Sequence, residues 1–323
     1  MIRHQWIVQE QRSPDSKSCI NASALRFGYL TFAVITPAKN EAEYIERTID
    51  SMLRQTVKPL KWLIVSDGST DGTDRIVQRY LPKIKWMDLL RMPEHHVRSF
   101  AGKAHAFNTA YDHIKTLAFD LIGNVDADIS FDAEYFAFLL TQFSSNPHLG
   151  VGGTPFQENF MQYNYRYTNI EHVSGACQLF RRECFDAIGG YQPLAGGGVD
   201  WVAVTTARML GWQTRTFIEK VSIHHRKIGT AHGKLLSSRF RFGKQDYCLG
   251  GHPIWEIFRC LYQMKSKPYL IGGLALFFGY FWAFLRRVKR PIADELVAFH
   301  RKEQMLQLKK VIINIFQRDK SSA

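Results

Sequence analysis

The sequence predicts a doubly wound α/β fold with a mostly parallel sheet, on three observations. Strand-like and helix-like stretches alternate at βαβ spacing through most of the first two thirds of the chain. The strand candidates are nearly continuous apolar runs, as strands buried on both faces are. Several of those runs end in turns rich in Asp, Gly and Ser, at the strand ends where open α/β sheets bind ligands.

Residues 1–28 are polar and mixed, and read as a loosely ordered lead-in with a loop at Ser13-Pro14-Asp15-Ser16. Residues 29–36 form the first buried strand, broken by Pro37-Ala-Lys-Asn40. A helix over 41–55 follows, with Ile45, Ile49, Met52 and Leu53 on one side and acids in its first turn. Residues 60–65 give a second strand, ending at Ser66-Asp67-Gly68-Ser69-Thr70-Asp71-Gly72. A helix over 74–80 and a strand over 84–90 come next, then a polar loop over 91–101 and a helix over 103–117. The run 121–125 climbs into Asp126-Ala-Asp128, followed by a helix over 132–143. Short strands at 150–156, 176–181 and 213–218 complete the sheet.

Beyond His224 the character changes. Residues 1–223 hold 23 Lys and Arg against 23 Asp and Glu, whereas residues 224–323 hold 19 against 6, so the whole net charge of +13 lies in the last hundred residues. A basic appendage on a neutral domain suits an anionic membrane surface, a polyanionic ligand or nucleic acid. Residues 252–264 carry an apolar face, and 269–285 are 17 residues without a charge. As a helix that stretch is about 25 Å long, short of a hydrocarbon core of about 30 Å. Lys265 and Lys267 precede it and Arg286, Arg287, Lys289 and Arg290 follow. Basic flanks on both sides favour a re-entrant or interfacial segment with both flanks cytoplasmic over a simple span; a buried core helix is the alternative of the same length. Five scattered cysteines without a C-x-x-C pair fit reduced thiols, and the N-terminus lacks an apolar signal core, so no export is expected.

Two chemistries are legible in the residues. Asp126 and Asp128, two apart at a strand end, place two hard oxygen donors where they could share Mg²⁺ or Mn²⁺, metals that serve phosphate groups; a solvated turn is the plainer reading. Gly68 and Gly72 permit positive φ and close approach of the backbone to a ligand, and Asp67 can accept hydrogen bonds from a base or ribose. There is no G-x-G-x-x-G at the first turn and no G-x-x-x-x-G-K-[ST], which disfavours a dinucleotide oxidoreductase and a P-loop enzyme.

Val34-Ile-Thr-Pro-Ala-Lys-Asn-Glu41, Gln55-Thr56 and Val65-Ser-Asp-Gly-Ser-Thr-Asp71 together resemble the opening of family 2 glycosyltransferases. Gly102-Lys-Ala-His-Ala-Phe-Asn108, Asp126-Ala-Asp128, Ser174-Gly-Ala-Cys-Gln-Leu-Phe-Arg-Arg182, Ile188-Gly-Gly-Tyr191 and Gly198-Val-Asp200 through Gly211 follow in that family's order. The resemblance covers about residues 30–230. It implies a GT-A fold and inverting transfer of a sugar from a nucleotide-diphosphate donor. It implies Pro37, Glu41, Asp67 and Asp126 on the nucleotide-sugar side, and Asp128 on a divalent metal (Mg²⁺ or Mn²⁺) with Asp126 assisting. Asp200 is then the catalytic base; a helix N-cap is its alternative role. The family often has Glu before this Asp, where this chain has Val199. His225 is the preferred further metal ligand, with His224 the alternative, and Arg226 could neutralise diphosphate charge. Lys103 reads as a phosphate contact or a solvated side chain and stays outside the core site.

The expected organisation is a lead-in over 1–28, a GT-A catalytic domain over 29–230 and a basic, helical, membrane-associated region over 231–323. The absence of Q-x-x-R-W and of several spans favours one sugar per encounter. The partners expected are the nucleotide-diphospho-sugar, a lipid-linked acceptor and a membrane surface at its cytoplasmic face, without nucleic acid. A catalytically inactive nucleotide-sugar-binding scaffold, or a nucleic-acid binder using Arg239-Phe-Arg-Phe242, are the competing readings.

Overall fold

The computed structural model describes residues 30–93, 100–157, 170–226, 235–265 and 268–321. The lead-in over 1–28 and the expected boundary at 230/231 lie outside the described residues.

Strands β1 (Phe32–Ala38), β2 (Lys61–Ser66), β3 (Met87–Arg91) and β4 (Leu121–Val125) pair in parallel in the order β3-β2-β1-β4. Helices α1 (Ile45–Leu53), α2 (Thr73–Tyr80) and α3 (Phe100–Ile114) connect them. The sheet continues through β8 (Cys177–Arg181), β6 (Leu149–Gly153) and β9 (Gln213–Thr216). Here β8 runs antiparallel to both β4 and β6, so the sheet is parallel-dominated and not all-parallel. Strand parity divides the core in two. Phe32, Val34, Trp62 and Ile64 face α1, α2 and α4 (Tyr135–Ser145). Ala33, Ile35, Leu63 and Val65 face α3, α5 (Arg182–Ala187) and α6 (Val199–Met209). With side chains two apart sharing a face, each apolar run can feed both layers.

Strand β1 does not break at Pro37. Pairing with β2 continues to Ala38, whose carbonyl accepts from Asp67 N–H at 2.8 Å. Successive residues of a parallel strand turn their amides to opposite neighbours, so Pro37 turns its missing N–H towards β4. Pairing with β4 has already ended at Ile35–Asn124, and no ladder bond is lost there. The first helix starts at Ile45, later than the expected residue 41.

A second, three-stranded sheet was not anticipated: β5 (Ile129–Ser130), β10 (Ser222–His224) and β7 (Phe156–Gln157), in that order. The basic third of the chain forms α7 (Leu235–Cys248), α8 (Pro253–Gln263), α9 (Ile271–Leu285) and α10 (Asp294–Ser321). No helix among the described residues is long and apolar enough to cross a membrane. The apolar stretch is instead a short helix lying against α7 and α8: Gly243 of α7 would carry a Cβ 2.0 Å from the Leu276 carbonyl, and Gly279 one 2.0 Å from that of Phe240. Only glycine permits a crossing that close.

Candidate active site

The cleft opens at the C-terminal ends of β1, β2 and β4, where the strand order reverses between β1 and β4. Pro37 ends the site side of β1, and Glu41 and Asp67 follow it, both buried. Gly68 and Gly72 both have positive φ, at 67° and 95°, as the turn after β2 required. The helix cap there is Gly72; Asp71 ties the turn together, accepting from Ala42 N at 2.9 Å and Thr73 N at 3.0 Å.

Because β4 stops at Val125, Asp126 and Asp128 lie on a turn and strand alternation no longer governs them. Thr48, buried on α1, sets its hydroxyl 2.9 Å from the Ala127 carbonyl and 2.8 Å from that of Ile129, fixing the turn from below. Asp126 is ion-paired with Lys103 of α3. Burial pushes its carboxyl up and Asp128 adds to this, against the pull of Lys103. Burial draws the Lys103 ammonium down, but Asp126, with Asp200 and Asp128 behind it, outweighs this and holds it above the ordinary value. Asp128 accepts from Arg226 Nε at 3.0 Å, and the same guanidinium pairs with Glu41 and lies 5.1 Å over the Tyr44 ring. Arg226 therefore joins Glu41, beyond the end of β1, to the acidic turn.

The two histidines part company. In β10, residues 222 and 224 share one side and 225 takes the other. His224 faces the cleft, its Nε2 3.6 Å from Asp128 Oδ1. Its Nδ1 lies 2.7 Å from the Arg226 carbonyl, which can only accept, so Nδ1 carries a proton and Nε2 is the nitrogen that faces Asp128. His225 turns away: Arg47 Nη1 donates to its Nδ1 at 3.2 Å, and its Nε2 lies 2.8 Å from Ser130 Oγ. Burial, with Arg47 assisting, holds its pKa below the ordinary value. The preference for His225 thus gives way to His224 on placement.

Asp200 is the second residue of α6; the cap is Gly198, with φ 86°, so Asp200 is not the N-cap. At that position the amide ends of the helix favour its negative charge. Its Oδ2 accepts from Gly175 N–H at 3.1 Å. Gly175 is held in turn through its carbonyl, which accepts from Asn124 Nδ2 at 2.6 Å and Lys103 Nζ at 3.4 Å. With Val199 in place of a second carboxylate, a backbone amide orients this one. Lys103, Asn124, Asp126, Tyr191, Asp200 and His224 share the walls of one cavity of about 280 Å³. Asn108 clamps Tyr191 from both sides, Nδ2 to its carbonyl at 2.7 Å and Oδ1 from its N–H at 3.1 Å, a structural contact. Sequence reasoning set Lys103 aside and gave no role to Asn124, Gly175 or Thr48; Lys103, within Gly102–Asn108, and Gly175, within Ser174–Arg182, carried a signal.

For a divalent cation the donor set is of the right kind: two carboxylates and an imidazole Nε2 facing one of them. No three His, Cys, Asp or Glu side chains converge on one point among the described residues. That arrangement fits a cation brought in with a diphosphate, which needs only one or two protein ligands, better than a fully caged resident ion.

A parallel-dominated sheet flanked by helices, with an acidic turn and a further carboxylate at its C-terminal edge, has the architecture of a GT-A fold. Residues 33–169 match the family model Glycosyl transferase family 2. The 4,4'-diaponeurosporenoate glycosyltransferase of Staphylococcus aureus is 30% identical over 112 residues, 35% of this chain and 28% of that one. The poly-beta-1,6-N-acetyl-D-glucosamine synthase of Staphylococcus epidermidis is 28% identical over 138 residues, 42% of this chain and 31% of that one. The chain thus spans about a third of the length of these curated relatives. Among solved structures, mannosyltransferase PcManGT from Pyrobaculum calidifontis, in complex with GDP-Man and Mn²⁺, superposes with a TM-score of 0.54 at 18% identity, covering 90% of this chain and 82% of that one. Staphylococcus aureus TarS gives 0.51 at 15% identity, covering 79% and 44%. At these identities the likeness is one of fold.

Proposed function

We propose that the chain is a metal-dependent, inverting glycosyltransferase. It moves a sugar from a nucleotide-diphospho-sugar to a hydroxyl or phosphate of a lipid-linked acceptor at the cytoplasmic face of a membrane, in cell-surface polysaccharide or glycolipid biosynthesis. The observation that carries this reading is the Asp200 carboxylate, held by Gly175 N–H in the same cavity as Asp126 and His224. The names of the two relatives, a carotenoid-acid glycosyltransferase and a polysaccharide synthase, and the GDP-Man and Mn²⁺ of the mannosyltransferase, support it.

In this reading Glu41 and Asp67 hold the nucleoside beside the Pro37 backbone. Asp128 and the imidazole of His224 would hold the cation, with Asp126 beside them paired to Lys103; the cation would offset the charge that develops on the diphosphate. Arg226, already beside Asp128, donates to phosphate oxygens. An acceptor oxygen attacks the anomeric carbon from the face opposite the diphosphate, and the bond to the diphosphate breaks with its electron pair. Asp200 takes the proton of an attacking hydroxyl. Lys103 offsets part of the cost of burying the Asp126 carboxylate and keeps the Gly175 peptide in place.

The test is thermal stability of the full chain against a panel of nucleoside diphosphates, with and without Mn²⁺. At a hundredfold excess over Kd a ligand adds about 2.7 kcal/mol, on the order of 5–10 °C for a domain this size. One nucleotide should give a Mn²⁺-dependent rise that Asp128→Ala removes. No rise with any nucleotide, in folded protein, overturns the reading in favour of a scaffold or an unrelated ligand.

A further inference from the structure

About half of the large hydrophobic residues exposed among the described residues fall between 254 and 285. They are ordered by helix geometry. On α9 five of the exposed residues, Ile271, Leu274, Phe278, Trp282 and Leu285, are spaced three and four apart along one stripe, and Phe284 lies off it. The opposite face of α9, with Gly273, Leu276, Gly279, Tyr280 and Ala283, is the one buried against α7 and α8. On α8, Ile254, Ile257 and Leu261 form a second exposed stripe, opposite the buried Glu256 and Cys260. Exposed apolar stripes of this kind on a folded chain mark a surface with a partner.

Charge says which partner. Between 235 and 292 the only acids are Asp246 and Glu256, and both are engaged by Arg259 inside the helical unit. The charges exposed there, among the described residues, are Arg241, Lys244, Lys265, Arg286, Arg287 and Lys289, all cationic. Lys244 Nζ lies 5.5 Å from the Trp282 ring, so positive charge borders the stripe itself. An apolar stripe with an aromatic residue and a basic border is the pattern of a helix that lies in a lipid interface. Anionic headgroups strengthen the hold of such a helix through each basic residue near the surface.

We propose that the exposed face of α8 and α9 docks on an anionic lipid surface, peripherally and without spanning it. The acyl boundary receives the α9 stripe and the lipid phosphates receive the surrounding lysines and arginines. A consequence, which rests on the transferase reading, concerns the acceptor. Helix α6, which carries Asp200, packs through Val202 on Leu249, Ile292 and Leu296 of the same helical unit. Docking therefore fixes the base relative to the lipid surface, as a lipid-linked acceptor requires.

The experiment is flotation of the full chain with vesicles of phosphatidylcholine alone and with one third phosphatidylglycerol, at low and high salt. Expected is binding to the anionic vesicles only, at least tenfold weaker for Phe278→Glu/Trp282→Glu and for Lys244→Glu/Lys289→Glu, with melting temperatures unchanged. These positions are exposed, and two independent variants guard against a folding artefact. Failure to bind, equal binding to both vesicle types, or a concentration-dependent dimer abolished by Phe278→Glu, each overturns the proposal; the last names a second copy as the occupant. The nucleotide-dependent stability of the same variants separates the two readings: lipid binding without a nucleotide response overturns only the transferase, and the reverse only the docking face.

Discussion

Gly175 has a hydrogen where any other residue would place a Cβ 2.9 Å from that of Asp200 and 3.1 Å from its Oδ2. Gly175→Ala is therefore expected to push the carboxylate off its amide donor. Sugar transfer should fall about a hundredfold, in line with misplacement of about 1 Å, while the nucleotide-dependent melting shift is retained. Asp200→Asn should lower transfer by about 10²–10⁴, the usual contribution of a general base, again with the nucleotide shift intact; loss of both together would make Asp200 a donor-binding residue. The residues themselves pointed to Asp126 and Asp128, carboxylates at a strand end, whereas Asp200 was reached through the family resemblance. They gave His225 preference over His224, a choice the pattern cannot secure, since neighbours on a strand face opposite sides and a shift of one residue exchanges them. Lys103 reads in the sequence as a phosphate contact or a solvated side chain. What gives it a role is the approach of α3 to the 174–176 segment, 72 residues away in the chain, a contact no local pattern encodes.

At the scale of the element, the joint between α7 and α8 is built around charge. Glu256 is buried, and burial and Asp246, against Arg259, push its carboxyl up from 4.5 to about 7. The folded chain thus holds this proton more tightly than the unfolded one. The resulting stability is full below pH 4.5 and is lost as pH rises towards 7, by about 3 kcal/mol at 1.36 kcal/mol per pH unit. His300 works in the opposite sense. Burial, with Arg208 and Arg301 beside it, lowers its pKa from 6.5 to about 3, so its contribution is present above pH 6.5 and fades as pH falls. Urea unfolding of wild type and Glu256→Gln across this range isolates the first term. The stability difference should grow in favour of the variant between pH 4.5 and 7; a flat difference would show that Glu256 titrates normally. Gly279→Ala should lower the stability of the helical unit by at least about 1–3 kcal/mol, the cost of overpacking against an immovable carbonyl. The element from Leu121 to Val125 was legible to the residue, being apolar but for Asn124 and ended by charge. The three short strands β5, β7 and β10 were not, because two or three residues show no period; their pairing is set by tertiary contacts alone.

Across the whole molecule, the asymmetry of charge announced a separate basic unit, but not how it is attached. The attachment is the cluster of Leu194, Val202, Leu249, Ile292, Leu296 and Val297, reinforced by Arg208 Nε on Glu303 at 2.8 Å. Leu249→Ala should cost about 2–5 kcal/mol, as truncation of a buried leucine does. Transfer to a lipid acceptor should fall while flotation with anionic vesicles persists, since the docking face is untouched; loss of both would mean the helices do not hold together without this contact. The position of β8 bears on how such a chain is made. It enters last between β4 and β6 and is antiparallel to each, and Asn124 and the Gly175 carbonyl it bonds are 51 residues apart. Until β8 arrives, β4 has an open edge, the kind of edge that invites pairing with other chains, and long-range closures of this sort are slow. During synthesis the acidic turn therefore stands beside an unfinished edge, and Asp200 gains its amide partner only once the segment that closes that edge is in place.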